Sequence, residues 1–294
     1  MTDASIVIRT YNEGKWLPHV LDAVSRQDVN GYDYETVIVD SGSTDDTLDT
    51  ASKNGCRIVH IEKDDFTFGR SLNVGCDAAE GRNLVFISGH CIPSHKLWLQ
   101  RLIKPLDEGV VSYVYGQQEG HDVTKFSERQ LFKKYFPNQS ALPQSGFFCN
   151  NANAALPKRI WSNSPFDEDV TGLEDMELAR RLVEQGHSIG YVADAPVAHI
   201  HEENWSQIKI RYEREAIALQ KIMPEVHVSF GDFVRYTAAG VFLDWSQALQ
   251  QRAFFKHALE IVLFRTMQYW GTYRGNNDHR KMSKARKEHY FYPR

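Results

Sequence analysis

The sequence predicts an α/β fold: a mostly parallel central sheet with flanking helices, followed by a helical C-terminal region. Three observations carry that reading. Short apolar runs alternate with segments of helical spacing through the first hundred or so residues. The first, second and fourth runs end in polar loops, and open α/β sheets bind ligands at the carboxyl ends of their strands. After His201 the pattern changes to long helical segments rich in large apolar residues.

The elements follow in order. Ala4 to Ile8 is apolar and rich in β-branched residues, a buried strand. It ends in the polar loop Arg9-Thr10-Tyr11-Asn12-Glu13-Gly14. Trp16, Leu17, Val20, Leu21 and Val24 recur at helical spacing, so a helix runs to Ser25. Glu35 to Val39 is the second strand. The Asp40-Ser41-Gly42-Ser43-Thr44-Asp45-Asp46 loop then supplies turn and cap residues for a helix over Thr47 to Asn54. Arg57 to Glu62 is a short third strand, and Phe68 opens a helix that ends near Gly81. Leu84-Val85-Phe86-Ile87, bounded by Gly81 and by Gly89 and Pro93, reads as a strand buried on both faces. It turns abruptly to Ser88-Gly89-His90. Either this end opens into a site or His90 is a surface histidine after a turn.

Composition narrows the function. The 294 residues, 42% hydrophobic, support a sizeable core and divide into a first domain over 1–204 and a helical region over 205–294. A net charge of −4 disfavours nucleic acid as a partner. The segment from Tyr273 to Arg294 holds seven Lys or Arg and two Asp or Glu, a basic tail of +5. Cys56, Cys76, Cys91 and Cys149 show no Cys-x-x-Cys spacing, which argues against structural zinc or a disulfide framework and for a reducing, cytoplasmic setting. The N-terminus runs straight into a strand with no signal peptide, and no apolar stretch approaches the roughly 18 residues that cross a bilayer. Thr-Tyr-Asn-Glu-Gly follows the first strand where a dinucleotide site would need Gly-x-Gly-x-x-Gly, and no phosphate loop or Gly-x-Ser-x-Gly occurs. Dehydrogenase, P-loop ATPase and serine hydrolase are disfavoured. Asp40, at the end of the second strand, either accepts hydrogen bonds from a base or ribose or starts an Asx-turn.

Ile6 to Glu13, and then Val37-Ile38-Val39-Asp40-Ser41-Gly42-Ser43-Thr44-Asp45-Asp46-Thr47, resemble the opening of the family 2 nucleotide-sugar glycosyltransferases, which have the GT-A fold. The resemblance continues through Gly69-Arg70-Ser71-Leu72-Asn73 and Gly172-Leu173-Glu174-Asp175-Met176-Glu177, and covers about residues 4 to 215. His199-Ile200-His201 and the late Gln268-Tyr269-Trp270-Gly271 are similar to the rhamnosyltransferase branch. The resemblance implies that Thr10, Asn12, Glu13 and Asp40 hold the donor nucleotide, with Arg70, Asn73, Ser88 and Gly89 bordering the pocket. It puts Asp175, beside Glu174, at the position of the catalytic base, which deprotonates the acceptor hydroxyl in an inverting transfer. Both acids otherwise read as dipole-complementing residues at a helix start.

One departure matters. The family ends its fourth strand with an aspartate that binds a divalent metal, and this chain has His90 there. Either His90 and a later histidine, His201 before His199, hold Mn2+ or Mg2+, or His90 contacts the phosphate or sugar directly. The amides of Asn151 and Asn153 suit sugar hydroxyls or local backbone capping. By resemblance, Trp205, Arg211 and Arg214, on a helix beginning at Trp205, border the substrates. The apolar region that follows, with its basic tail, suits peripheral contact with the inner membrane face, a homodimer interface or packing on the core. The expected function is inverting transfer of a sugar from a nucleotide-sugar donor to a surface glycan or lipid-linked glycan acceptor. The alternative is a catalytically silent glycan- or nucleotide-binding module of the same fold.

Overall fold

The computed structural model describes residues 2–29, 31–278 and 289–291. Its strands are β1 (Ala4–Thr10), β2 (Tyr34–Asp40), β3 (Arg57–His60), β4 (Asn83–Ser88), β5 (Cys91–Pro93), β6 (Tyr113–Gly120), β7 (Asn153–Pro157) and β8 (Ile189–His199). Its helices are α1 (Leu17–Ser25), α2 (Thr47–Lys53), α3 (Phe68–Ala78), α4 (Trp98–Asp107), α5 (Phe126–Tyr135), α6 (Lys158–Asn163), α7 (Glu174–Glu184), α8 (Trp205–Ile222), α9 (Phe230–Gln250) and α10 (Phe254–Asn276).

The strands form one eight-stranded sheet in the order β3-β2-β1-β4-β7-β6-β8-β5. The first four pair in parallel, as their βα alternation requires, and β7 joins β4 antiparallel. The central strands read as continuous apolar runs because both faces are covered: Ile6, Ile8, Ile38, Val85 and Ile87 are at most 2% exposed. Leu17, Val20, Leu21 and Val24 of α1 join this core, with Trp98, Leu99, Leu102 and Ile103 of α4. Register fixes what comes next. Thr10 lies opposite Asp40, and Arg9 opposite Ser88, so three strand ends finish level with one another.

The chain divides into two compact units. The first comprises Met1–Glu119, Tyr135–Asp169 and Glu174–Ile200. The second comprises Gly120–Lys134, Val170–Leu173 and His201–Arg294. The second unit therefore also takes in two earlier segments whose composition does not set them apart from their neighbours. Two of its helices start on capping boxes, Asn204 with Gln207 for α8 and Ser229 with Asp232 for α9. A buried bidentate pair, Arg265 with Asp244 at 2.7 and 2.8 Å, links α10 to α9. Among the described residues no helix is long and apolar enough to cross a membrane. Most of the basic tail, 279–288 and 292–294, lies outside the described residues.

Candidate active site

Two loops meet at the ends of β1 and β2. Asn12 takes a left-handed conformation (φ 55°), which asparagine tolerates better than most residues. Its side-chain oxygen accepts from the Thr44 amide at 2.8 Å, and its own amide donates to Ser43 Oγ at 2.8 Å. The Glu13 amide donates to Thr47 Oγ1, and the Gly14 amide to Asp45 Oδ2. The loop predicted to hold a nucleotide is thus laced to the next one.

Asp40 is the hub of that lacing and is fully buried. Oδ1 accepts from Thr10 Oγ1 at 3.0 Å and from Ser43 Oγ at 2.5 Å. Oδ2 accepts from the Gly42 and Ser43 amides, each at 2.9 Å. Gly42 permits the turn, with φ at +92°. Four donors occupy both oxygens, so the Asx-turn reading describes Asp40 in this structure, and Thr10 is spent on it. Neither side chain presents a group to a base, which corrects the expectation of direct contact.

Asn73 is likewise committed. Its amide nitrogen donates to Phe166 O and Glu168 Oε1, each at 2.9 Å, and its oxygen accepts from Trp161 Nε1 and the Phe166 amide, each at 3.0 Å. It pins the segment after α6, with both ends of its amide engaged. Arg70, by contrast, is exposed, with Asp65 at 3.8 Å.

His90 sits at the end of β4 as predicted. Its Nδ1 is 2.8 Å from Glu13 Oε1, and Ser88 Oγ is 3.1 Å from its Nε2. A Cβ at Gly89 would stand 2.9 Å from Glu13 Cγ, so glycine there lets Glu13 approach. The His90 ring stacks on His199, with centroids 5.3 Å apart and planes 25° from parallel. The backbone reinforces the pair: β5 runs antiparallel to β8, and the Ile200 amide donates to the His90 carbonyl. The Nδ1 of His199 is 2.7 Å from Gln118 Oε1. Each imidazole therefore has an acceptor on Nδ1, the arrangement that second-sphere partners give metal-bound histidines. This donor set fits a divalent cation, and imidazole suits Mn2+ better than Mg2+.

Glu174 and Asp175 open α7, and both are buried. Arg9 Nη1 donates to Glu174 Oε1 at 2.9 Å and to the Phe68 carbonyl, while its guanidinium lies over the Phe68 ring. Asp175 Oδ2 accepts from the Asn151 amide at 2.8 Å and Oδ1 from its neighbour Met176 at 2.7 Å. Burial, then the adjacent Glu174 carboxylate, pushes Asp175 up to about 7; those two N–H groups and Arg9 oppose the shift. Sequence reasoning missed Arg9. Its position at the end of a central strand was the available signal.

The two asparagines part company. Asn153 is fully buried: its nitrogen donates to the Gln117 and Ala195 carbonyls, and its oxygen accepts from Trp98 Nε1. It ties β6, β7, β8 and α4 together and cannot meet a sugar, which corrects that expectation. Asn151 accepts from the Tyr113 hydroxyl, while its amide nitrogen is buried with no hydrogen-bond partner among the described residues. A buried orphan donor on the residue whose backbone N–H anchors Asp175 needs an explanation.

Within the second unit, His201 Nδ1 is 2.6 Å from Glu128 Oε1. Arg211 donates from Nε and Nη2 to Glu203 and from Nη2 to Glu128 at 2.5 Å. Burial alone would raise Glu128, but Arg211 and His201 hold it at about 2. The guanidinium is therefore consumed by an internal ion-pair network, which corrects its expected contact with donor phosphates. Arg214 donates to the Tyr290 carbonyl at 3.2 Å, and the Lys125 ammonium lies 5.0 Å from the Trp205 ring centroid.

Known proteins resemble this chain. The chain is 25% identical over 213 residues to an O-antigen chain rhamnosyltransferase of Salmonella typhimurium, covering 67% of this chain and 66% of that protein. It is 26% identical over 228 residues to an O-antigen chain rhamnosyltransferase of Salmonella anatum, covering 72% and 70%. The matched stretch thus spans just under two thirds of the first relative's length. Among solved structures, a mannosyltransferase from Pyrobaculum calidifontis in complex with GDP-Man and Mn2+ superposes with a TM-score of 0.60 at 17% identity, covering 92% of this chain and 83% of that one. Glucosyl-3-phosphoglycerate synthase from Mycobacterium tuberculosis, in complex with Mn2+, UDP and glucosyl-3-phosphoglycerate, does so with a TM-score of 0.56 at 24% identity, covering 75% and 79%. These likenesses show a common fold, the GT-A arrangement. Residues 5–162, more than half of the sequence, match Glycosyl transferase family 2, and the chain belongs to that family.

Proposed function

We propose that this chain is an inverting glycosyltransferase that moves a sugar from a nucleotide-sugar donor to a growing surface glycan. The observation that carries the reading is Asp175: a buried carboxylate at a helix start, raised to about 7 by burial and Glu174. A base poised near neutral pH is what deprotonation of a sugar hydroxyl needs. Asp175 takes the acceptor proton as the hydroxyl oxygen attacks the anomeric carbon. The bond from that carbon to the phosphate oxygen breaks, and its electron pair leaves with the nucleotide. Arg9 holds Glu174 in place, and the Asn151 backbone N–H holds Asp175. A divalent metal held by His90 would take up charge on the leaving diphosphate. The loop Tyr11–Gly14, laced to Ser41–Thr47, frames the nucleotide with backbone and with Asn12 and Glu13, and Arg70 offers an exposed cation for phosphate. The names of the relatives favour an O-antigen-like acceptor and a deoxyhexose donor.

Asp175→Asn tests the reading. We expect turnover to fall at least about 100-fold while nucleotide binding by calorimetry stays unchanged. Wild-type turnover in that variant would remove Asp175 from the role.

We propose in addition that α9 and the start of α10 rest on an anionic lipid surface. One face of α9 is buried through Gly240, Val241, Asp244 and Ala248. On the rest of the helix Phe242, Leu243 and Leu249 are 61–68% exposed, and on α10 Phe255 is 98% and Leu259 71% exposed. A helix apolar on more than one face is under-buried in water. From Tyr236 to Gln251 the one charged residue is Asp244, which Arg265 neutralises, and the exposed Arg252 and Lys256 flank Phe255. An apolar patch rimmed by cations suits anionic headgroups. Cosedimentation with phosphatidylglycerol vesicles, lost in the Leu243→Gln/Phe255→Ser variant and in pure phosphatidylcholine, is the expected result. A dimer that the same variant dissociates, without vesicle binding, would assign the patch to a second copy instead.

A further inference from the structure

Gln118 on β6 was not singled out by the sequence, yet it stands at the centre of a hydrogen-bond chain whose polarity can be read from one fixed donor. The Ala152 amide is an N–H and donates to a side-chain atom of Asn150 at 3.0 Å, so that atom is the carbonyl oxygen Oδ1. The Gln118 atom 2.9 Å from the same oxygen must then be a donor, its nitrogen Nε2. The other end of the Gln118 amide is therefore an oxygen, and it lies 2.7 Å from His199 Nδ1. An oxygen there requires the proton on Nδ1 and places the lone pair of His199 on Nε2. Glu13 imposes the same choice on His90, since a carboxylate 2.8 Å from Nδ1 accepts. The two rings that stack at 5.3 Å are thereby set in one tautomer.

We infer that Gln118 is a positioning residue, which with Glu13 locks His199 and His90 in the Nδ1–H tautomer so that both offer Nε2 to one divalent cation. The inference rests on the metal reading above and adds His199 to the ligands. The Ser88 hydroxyl, 3.1 Å from His90 Nε2, is a rotor that turns aside when the nitrogen is coordinated. Anchoring the chain on a backbone amide explains why an amide side chain suffices here: Gln118 cannot flip without facing acceptor to acceptor at Asn150.

The tautomer is directly measurable. In the full chain with 15N-labelled histidine, long-range proton–nitrogen correlation should show His199 and His90 with protonated Nδ1 and unprotonated Nε2 before any metal is added. Gln118→Leu should release His199 into a mixture of tautomers and weaken Mn2+ binding, followed by electron paramagnetic resonance, by about 10- to 100-fold. Gln118→Glu, which keeps an acceptor, should retain the tautomer and wild-type Mn2+ affinity, and separates this role from a folding defect. An Nε2–H tautomer at His199 in the wild type overturns the inference, as does unchanged Mn2+ affinity in Gln118→Leu. The expected tautomer in a wild-type chain that binds no Mn2+ overturns the metal reading, and with it the purpose assigned to Gln118.

Discussion

Asp40 and Asp175 are both buried carboxylates of the first unit, and their surroundings are opposite. Asp40 receives four hydrogen bonds from Thr10, Gly42 and Ser43, two on each oxygen. Asp175 receives one backbone N–H on each oxygen and faces a second carboxylate, Glu174. A saturated carboxylate organises a turn. An undersupplied one beside a like charge holds its proton near neutral pH and is able to exchange it. Glu128 in the second unit marks a third state, a buried carboxylate held at about 2 by Arg211 and His201 against the pull of burial. Between Asp175 and Glu128, acidity follows the supply of donors and cations, with burial common to both.

The largest effect should come from taking away a cation. Arg211→Ala leaves Glu128 and Glu203 in place without their guanidinium, which costs about 3–5 kcal/mol, measured by urea unfolding. The same network predicts acid sensitivity. The folded value of Glu128 lies below its ordinary 4.5, so its contribution is present above that pH and lost as pH falls from about 4.5 through 2. A loss of stability below 1 kcal/mol in Arg211→Ala would show that the network is not holding the unit together.

Next is the saturated aspartate. Asp40→Ala orphans the buried Thr10 hydroxyl and removes the acceptor of two partly buried turn amides, at about 1–3 kcal/mol per buried donor left unpaired, so we expect destabilisation on the order of 3 kcal/mol together with weakened nucleotide binding. Weakened binding with unchanged stability would instead make Asp40 a direct ligand of the base and would break the contrast drawn above.

The smallest effect is the most diagnostic. The folded value of Asp175 lies above its ordinary 3.8, so its favourable contribution is complete below that pH and fades as pH rises through about 7. Asp175→Asn has no proton to lose. Its stability relative to wild type should therefore rise by about 2 kcal/mol between pH 5 and pH 8, read from melting at both values. Wild-type activity should climb with pH through about 7 and then level. A flat stability difference would mean that Asp175 is ionised throughout and is not the poised group.

The sequence by itself determined the first four strands, because Ile6, Ile8, Ile38 and Val85 sit in runs whose burial on both faces needs no partner information. It determined the positions of Asp175 and His90 too, since each lies at the junction of an apolar run or amphipathic helix with a polar break. Only the tertiary structure decided what each polar group does there. Asn151 and Asn153 are two residues apart in one motif, yet the strand pleat and the packing of α4 enclose Asn153 on every side while Asn151 keeps an amide nitrogen unspent. Asp40 and Asp175 are the same side chain, and what separates them is which donors converge from Thr10, 30 residues away, or Asn151, 24 residues away. Arg9, Gln118 and Arg211 take their roles from Glu174, His199 and Glu128, partners 165, 81 and 83 positions distant. Local spacing reports periodicity and turn chemistry. Hydrogen-bond saturation is a sum over neighbours brought together by the fold, and that sum separates Asp40 from Asp175.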